Sequence, residues 1–233
     1  MTTAVVLDLD DTLYLEESYV LSGLAWLSDW LERETGIRGF QAEAETLRQM
    51  GIRDRLFDRS LAELGITPAP AFIDLLVEKY RSHPPTISLA IDAEAFLAAD
   101  HGFALALITD GHAVAQRAKI AALGLDRFDV HPMICTDEWG PDYWKPHLRA
   151  FAAVELYYRG ECDAFVYVAD NPAKDFLAPR RLGWRTIQID RPGAVHSRVP
   201  PSAEHRADMR IHSFDELTPS QIELLGGRLA SPG

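Results

Sequence analysis

Aspartate residues are concentrated in the segment VVLDLDDTL, directly after a run of apolar residues near the start of the sequence. The segment contains Asp8, Asp10 and Asp11, and the alternation of side chains along a strand directs Asp8 and Asp10 to the same side. Burying neighbouring carboxylates costs free energy unless a cation compensates for their charge. Such a cluster is typical of a site that binds a hard cation or performs nucleophilic and acid-base chemistry.

Polar residues also occur in three later segments of the chain, and their types complement the first cluster. They are Thr109, Asp110 and Gly111 in ITDG, Lys145 in WKP, and Asp170 and Asp175 in ADNPAKD. Because ligands bind beyond the carboxyl ends of the strands in a parallel sheet, we expect these residues to meet at one edge. The sequence therefore predicts one composite site.

The predicted site has the components of phosphoryl transfer. The carboxylates of Asp8, Asp10 and Asp170 are expected to converge on Mg²⁺, which prefers oxygen ligands in octahedral geometry. Lys145 is expected to lower the pKa of Asp8 and to pair with an incoming anion. Thr109 supplies a hydroxyl at the end of a strand, and the backbone N–H groups at the start of the next helix complete a phosphate cradle. A carboxylate nucleophile, an acid-base group and a charge clamp are thus present together.

Short apolar strands alternate with helical patterns over most of the chain. Strands are predicted at residues 5–9, 103–109, 130–135, 164–169 and 186–189, and helices at residues 92–99, 112–123, 146–158 and 173–182. A last short strand and a closing helix are expected within residues 207–217. This alternation is typical of an α/β fold in which a parallel sheet is covered by helices on both faces.

One long segment interrupts the alternation and shows only helical periodicity. Its predicted helices are residues 18–34, 41–49, 53–64 and 71–81. We expect a core domain formed by residues 1–14 and 86–233, with an all-helical domain at residues 15–85 inserted into it.

Composition limits the classes of partner. The formal net charge of −12 disfavours nucleic acid polymers and anionic membrane surfaces, since both attract clustered Lys and Arg. We find no apolar run near the ~18 residues needed to span a bilayer and no secretory pattern at the start of the sequence, so a cytoplasmic protein is expected. The sequence leaves the oligomeric state open.

The four motifs DLDDT, ITDG, WKP and ADNPAKD occur in an order that resembles the haloacid dehalogenase-like superfamily. The resemblance extends over nearly the whole core and implies a three-layer Rossmann-like domain. The helical insert between the first two motifs looks like the C1 cap of phosphatases in that superfamily.

The resemblance also implies roles for individual residues. Asp8 would be the nucleophile, and Asp10 would be the general acid and base. Thr109 and Lys145 would hold the phosphoryl group together with Asp110 and Gly111. Mg²⁺ would be bound by Asp8, Asp170 and the backbone carbonyl of Asp10, while Thr12 and Asp175 would support the site. Asp110 stands where Asn is common in the family, which places an additional negative charge near the anion site.

The implied activity is that of a Mg²⁺-dependent phosphomonoester hydrolase acting through an aspartyl-phosphate. Its expected substrate is a small phosphorylated metabolite, either a sugar phosphate or a nucleotide. Two alternatives stay open: a β-phosphoglucomutase-like phosphotransferase, and a non-catalytic protein that binds a phosphate-containing ligand. The presence of both Asp8 and Asp10 favours phosphate esters, because dehalogenases of this superfamily lack the second carboxylate.

Overall fold

The computed structural model describes residues 2–100, 102–195 and 198–226 of the chain. The chain divides into two compact units. One consists of Met1–Glu17 with Ser88–Gly233, and the other consists of Ser18–Ile87. The first unit contains the parallel sheet, and the second unit is helical.

The sheet of the first unit has six parallel strands in the part of the chain that the structure describes. They are β1 (Thr3–Leu7), β2 (Ala104–Thr109), β3 (Val130–Cys135), β4 (Ala164–Ala169), β5 (Arg185–Ile189) and β6 (Met209–Ile211). Their spatial order is β3-β2-β1-β4-β5-β6. The central strand β1 pairs with β2 on one side and with β4 on the other, and all five of its residues are buried. The predicted α/β fold with a parallel sheet is confirmed.

Four helices form the second unit: α1 (Glu16–Thr35), α2 (Phe40–Gln49), α3 (Leu56–Glu63) and α4 (Pro70–Ser82). Helix α1 begins two residues before this unit. Leu24, Leu27 and Leu31 lie on one face of α1 because they are three and four residues apart. They pack with Phe40 and Leu61 in a fully buried cluster, so the unit has an apolar core of its own.

Five more helices lie in the described part of the first unit: α5 (Ile91–Ala98), α6 (Ala113–Ala122), α7 (Arg149–Tyr157), α8 (Leu177–Arg181) and α9 (Pro219–Gly226). Ala4 and Val6 of β1 pack in one cluster with Phe151 of α7. Val5 and Leu7 point to the opposite face of the sheet and are also fully buried. The sheet is therefore covered on both faces. No helix in the described residues is long and apolar enough to cross a membrane.

The end of β1 differs from the prediction. The strand was expected to continue to Leu9, but it ends at Leu7. The chain then turns, since the N–H of Leu13 donates to the carbonyl of Leu9 at 2.9 Å and Asp11 adopts a φ of 53°. The alternation of side chains that holds within a strand consequently stops before Asp10.

Helices α7 and α8 begin three and four residues later than residues 146 and 173, where they were predicted to start. Before α8, side-chain hydrogen bonds replace helical ones: Asn171 Oδ1 accepts from the N–H of Ala173 at 3.0 Å, and Asp175 Oδ2 accepts from the N–H of Asn171 at 3.0 Å. Asn and Asp commonly compete with helix formation in this way. The two motifs therefore lie in turns.

The prediction missed helix α9 and placed a helix where a short 3₁₀ turn, Phe214–Glu216, follows β6. A local signal for α9 was available in the segment TPSQ. Thr218 Oγ1 accepts from the N–H of Gln221, whose Oε1 accepts from the N–H of Thr218. This reciprocal pair, followed by Pro219 at the first helical position, is typical of a helix start.

Candidate active site

Three carboxylates lie together beyond the carboxyl ends of β1 and β4. Asp8 follows β1, Asp170 follows β4, and Asp175 lies in the turn after it. One oxygen of each carboxylate lies within 4.8 Å of one oxygen of each of the others, and all three residues are buried. The ends of the strands stay in register, since the N–H of Asp8 donates to the carbonyl of Val168 at 2.9 Å. We call this group the acidic triad.

Lys145 inserts a positive charge into the acidic triad. Its Nζ lies 2.6 Å from Oδ1 of Asp8 and 2.8 Å from Oδ1 of Asp175, and it donates to the hydroxyl of Tyr167 at 2.9 Å. The side chain of Lys145 is fully buried. A buried ammonium is stable only in such a paired environment. When all three carboxylates are ionised, one lysine leaves the acidic triad with a net negative charge.

Burial and the mutual repulsion of the carboxylates raise the pKa values of Asp8 and Asp170. Burial raises the pKa of Asp8 to about 7, and the attraction of Lys145 only partly offsets it. Lys145 thus acts to lower the pKa of Asp8, as expected, but desolvation outweighs its attraction and the net pKa is raised. Burial and the charges of Asp175 and Asp8 raise the pKa of Asp170 to about 9.

The residues present fit a divalent metal ion. Oδ2 of Asp170 is buried and has no hydrogen-bond partner among the described residues. A buried carboxylate oxygen without a donor is costly, and a cation would satisfy it. The donor set consists of hard carboxylate oxygens with net negative charge, which is the chemistry that Mg²⁺ prefers.

The carboxylate of Asp10 does not belong to the acidic triad. Its Oδ1 lies 2.7 Å from Nζ of Lys119 and also accepts from the hydroxyl of Tyr14, while its Oδ2 accepts from Nε2 of Gln116 at 2.8 Å. Burial acts to raise the pKa of Asp10, but Lys119 and these hydrogen bonds outweigh burial and lower it.

The structure thus differs from the predicted convergence of the Asp8, Asp10 and Asp170 side chains. The physical reason is the early end of β1: with Asp11 in the left-handed region, Asp10 does not continue the alternation that begins in the strand. Asp175, which the sequence assigned only a supporting role, takes the third position in the triad.

The ITDG motif lies at the same edge of the sheet as the acidic triad. Thr109 ends β2, which is the neighbour of β1, and its buried Oγ1 has no hydrogen-bond partner among the described residues. Gly111 has a φ of 110°, and a Cβ there would lie 2.9 Å from Nε2 of Gln116. At the start of α6 the N–H of Ala113 donates to Asp137 Oδ2 at 2.9 Å, so this donor is already occupied. The Thr109 hydroxyl can still donate to an anion.

The carboxylate of Asp110 pairs with neighbouring groups of the protein. Oδ1 accepts from Thr136 Oγ1 at 2.7 Å and from the N–H of Lys145 at 3.1 Å, and Oδ2 lies 3.1 Å from Nζ of Lys174. Burial opposes ionisation, but Lys145 and Lys174 lower the pKa of Asp110. A carboxylate in this setting would repel a phosphate, so a phosphate contact by Asp110 is restricted to its backbone. Asp110 stands where Asn is common in the family, and its additional negative charge is paired with Lys174.

Thr12 closes the turn after β1. Its N–H donates to the carbonyl of Leu9 at 3.3 Å, and its own carbonyl accepts from Nε of Arg191 at 2.7 Å. Thr12 is completely buried. These contacts hold in place the loop that carries Asp10.

Sequence reasoning missed two residues of α6 that contact Asp10. Gln116 and Lys119 lie on the buried stripe of this helix together with Ala115 and Ile120. A lysine and a glutamine at buried positions of an amphipathic pattern were the available signal, because such groups are seldom buried without a partner. Lys174 was also missed, although it lies inside the ADNPAKD motif.

Comparison with known proteins identifies the family. A model of haloacid dehalogenase-like hydrolases matches residues 2–183, so the chain belongs to this family and is an enzyme of the hydrolase class. The membership predicted from the four motifs is confirmed.

Curated relatives are named as phosphatases. A glyceraldehyde 3-phosphate phosphatase from Methanopyrus kandleri is 28% identical over 93% of this chain and 96% of its own length. A phosphoserine phosphatase from Thermus thermophilus is 31% identical, and the match covers 71% of this chain but only 63% of that protein. Both of these relatives are thus named for the hydrolysis of a phosphate ester.

Solved structures share the fold. A putative hydrolase of the same family from Bacillus subtilis, determined with bound magnesium, has a TM-score of 0.63 and covers 97% of this chain and 99% of its own. Its sequence identity is 18%, so the likeness concerns the fold alone.

Proposed function

We propose that the protein is a Mg²⁺-dependent phosphomonoester hydrolase that acts on a small phosphorylated metabolite. The observation that carries this proposal is the acidic triad with Lys145 paired to two of its members, Asp8 and Asp175, at the edge where Thr109 ends the neighbouring strand. This arrangement combines a carboxylate nucleophile, a net negative cation site and a fixed ammonium. The names of the relatives support the choice of phosphate esters.

Asp8 is the nucleophile in this proposal. One of its oxygens attacks phosphorus, the bond from phosphorus to the ester oxygen breaks, and an aspartyl-phosphate forms. Lys145, 2.6 Å from Oδ1 of Asp8, keeps the carboxylate in place and attracts the phosphoryl group. Thr109 donates its hydroxyl hydrogen to a phosphoryl oxygen. Asp8, Asp170 and the backbone carbonyl of Asp10 would hold Mg²⁺, which supplies charge neutralisation for the phosphoryl oxygens.

Asp10 is the acid-base group in this proposal. In its protonated form it gives a proton to the leaving ester oxygen, and the carboxylate so formed later takes one from the water that attacks the aspartyl-phosphate, which restores the protonated form. The second attack breaks the bond between phosphorus and the Asp8 oxygen, which restores the carboxylate and releases inorganic phosphate. The reaction is balanced by one water consumed for each ester hydrolysed.

The substrate in this proposal is a short phosphorylated metabolite. Glyceraldehyde 3-phosphate and phosphoserine, which appear in the names of the relatives, are both three-carbon phosphate esters. They are therefore tested beside the sugar phosphates and nucleotides expected from the sequence. The proposal includes a cytoplasmic location and a cap role for the inserted domain, residues 15–85. The compact helical unit Ser18–Ile87 supports the latter.

The test is phosphate release from a panel of esters, with Mg²⁺ and with excess chelator. The panel contains glyceraldehyde 3-phosphate, phosphoserine, a hexose phosphate, a nucleoside monophosphate and 4-nitrophenyl phosphate. We expect release that requires Mg²⁺ and is absent in Asp8→Asn. Release that is unaffected by the chelator would contradict the metal dependence. Isomerised sugar phosphate without free phosphate would replace the hydrolase proposal with a phosphotransferase.

A further inference from the structure

We propose that Lys119 and Gln116 of α6 are positioning residues that fix the orientation of the Asp10 carboxylate for catalysis. This inference rests on the proposed function, in which Asp10 is the acid-base group. It assigns a catalytic purpose to two buried polar side chains that the motifs do not include.

The first contact is an ion pair between a buried lysine and a partly buried aspartate. Nζ of Lys119 lies 2.7 Å from Oδ1 of Asp10, and the side chains are 5% and 19% exposed. Lys119 reaches this position from the buried stripe of α6, beside Ile120. A rigid helix rather than a mobile loop thus determines where the positive charge lies. Hydrogen bonds between ionised groups are shorter and stronger than those between neutral groups, and a low local dielectric strengthens them further.

The second contact involves the other oxygen of the same carboxylate. Nε2 of Gln116 donates to Oδ2 of Asp10 at 2.8 Å and also donates to the backbone carbonyl of Asp110. Gln116 therefore joins the loop after β1 to the loop after β2. Because Lys119 and Gln116 bind different oxygens, they fix both the position of the carboxylate and the rotation of its plane. Tyr14 adds a donor to Oδ1.

Positional control of this group has a direct effect on rate. A general acid must come within hydrogen-bond reach of the oxygen it protonates. A misplacement of about 1 Å costs roughly 10²-fold in rate. Loss of either donor would leave the nucleophile and the charge clamp intact, but it would release the carboxylate from its fixed orientation. The loss of kcat/KM should therefore depend on whether the leaving group requires protonation.

The experiment compares Lys119→Met and Gln116→Leu with the wild-type protein on two substrates. An alkyl phosphate has a poor leaving group that requires protonation, whereas 4-nitrophenyl phosphate has a leaving group that departs as an anion. We expect kcat/KM for the alkyl ester to fall about 10²-fold in each variant, and kcat/KM for the aryl ester to fall less than about 10-fold. KM should change less than kcat, because Thr109 and Lys145, whose side chains hold the phosphoryl group in the proposed function, are not altered.

The matched control is Arg117→Met. Arg117 lies on the same helix, but its side chain is about half exposed and pairs with Glu138 at 2.5 Å. This variant should keep the activity of the wild type on both esters. In an Asp10→Asn background, Lys119→Met should add no further preference for the aryl ester, since the group it positions is already disabled.

Two outcomes would overturn the inference: equal losses on both esters in both variants, or no loss in either. If Lys119→Met does not fold, Gln116→Leu decides the question, because it removes no charge. The failure of the proposed function looks different. In that case the wild-type protein releases no phosphate from any ester. If the wild type is active and Asp10→Asn shows the leaving-group preference but neither α6 variant does, only the positioning role fails.

Discussion

Nζ of Lys145 lies 2.6 Å from Oδ1 of Asp8, although the two residues are 137 positions apart in the chain. Both side chains are nearly inaccessible to solvent, so removal of Lys145 leaves Asp8 without its paired cation, whereas loss of the Asp8 charge leaves Lys145 paired with Asp175. Lys145 therefore couples the stability of the core to the chemistry of the candidate site.

Lys145→Met should abolish activity and destabilise the protein. Removing one member of a buried ion pair leaves the other uncompensated, at a cost of about 3–5 kcal/mol. Urea unfolding in the absence of Mg²⁺ measures this directly. Arg127→Met is the control, because the pair of Arg127 with Glu94 is about half exposed and should contribute less than ~1 kcal/mol. Equal effects of the two substitutions would refute the role given to Lys145.

Asp8→Asn should separate activity from stability. We expect kcat to fall by at least ~10⁴-fold, since an amide oxygen is a poor nucleophile. The free energy of unfolding should not decrease, because the substitution removes one of three mutually repelling carboxylates while Lys145 keeps its contact with Asp175. Kinetic assays and urea unfolding on the same preparation test both parts. Asp126→Asn, at an exposed position, should resemble the wild type in both.

Mg²⁺ should stabilise the wild-type protein, because it relieves the repulsion within the acidic triad. A ligand at 100 times its Kd adds about 2.7 kcal/mol to the free energy of unfolding. In Asp170→Asn we expect the concentration of Mg²⁺ needed for half of the maximal shift in Tm to rise about 10-fold or more. Thermal unfolding across a Mg²⁺ titration measures it. An unchanged midpoint in Asp170→Asn would exclude this carboxylate as a metal ligand.

Asp110→Asn should lower the free energy of unfolding at neutral pH but not in acid. The pKa of Asp110 is lowered in the folded state, so its pairing with Lys174 contributes fully above the unfolded pKa of about 3.9 and is lost as the pH falls through the folded value. The expected loss at pH 7 is about 1–2 kcal/mol, the size of one hydrogen bond to a charged group. Urea unfolding from pH 7 down to the lowest pH at which both proteins fold should show the difference between them narrowing once the pH falls below the unfolded pKa. A constant difference across that range would contradict the assignment.

Leu61→Ala should act locally if the helical unit Ser18–Ile87 behaves as a domain. Leu61 is fully buried in the core of that unit, and its truncation should cost about 2–5 kcal/mol there. Hydrogen exchange should then accelerate in α1 to α4, while the amides of β1 and β2 keep their protection. Ala62→Gly on the exposed side of the same helix provides a milder comparison. Equal acceleration in the sheet would show that the two units unfold as one.

The sequence predicted the parallel sheet and the edge at which the site lies, because both follow from apolar runs and from the residues that end them. It did not predict the direction of the Asp10 side chain. That direction depends on the φ of Asp11 and on Lys119, which is 109 residues away from Asp10. Long-range pairing of this kind leaves no periodic pattern. Helix α9 is a different case, since the reciprocal contacts of Thr218 and Gln221 follow a recognisable local rule.

The order of strands in the sheet also separates the parts of the molecule that must stay rigid from those that can open. Every predicted site residue lies at or after β1, β2, β3 or β4, while β5 and β6 carry none. Strand β6 has only three residues and lies at the edge, where pairing is available on one side alone. Transient opening of this edge is therefore the least costly fluctuation of the sheet, and none of the predicted catalytic residues lies on β6. The proposed nucleophile Asp8, in contrast, follows the central strand β1, which is paired on both sides and separated from this edge by β4 and β5.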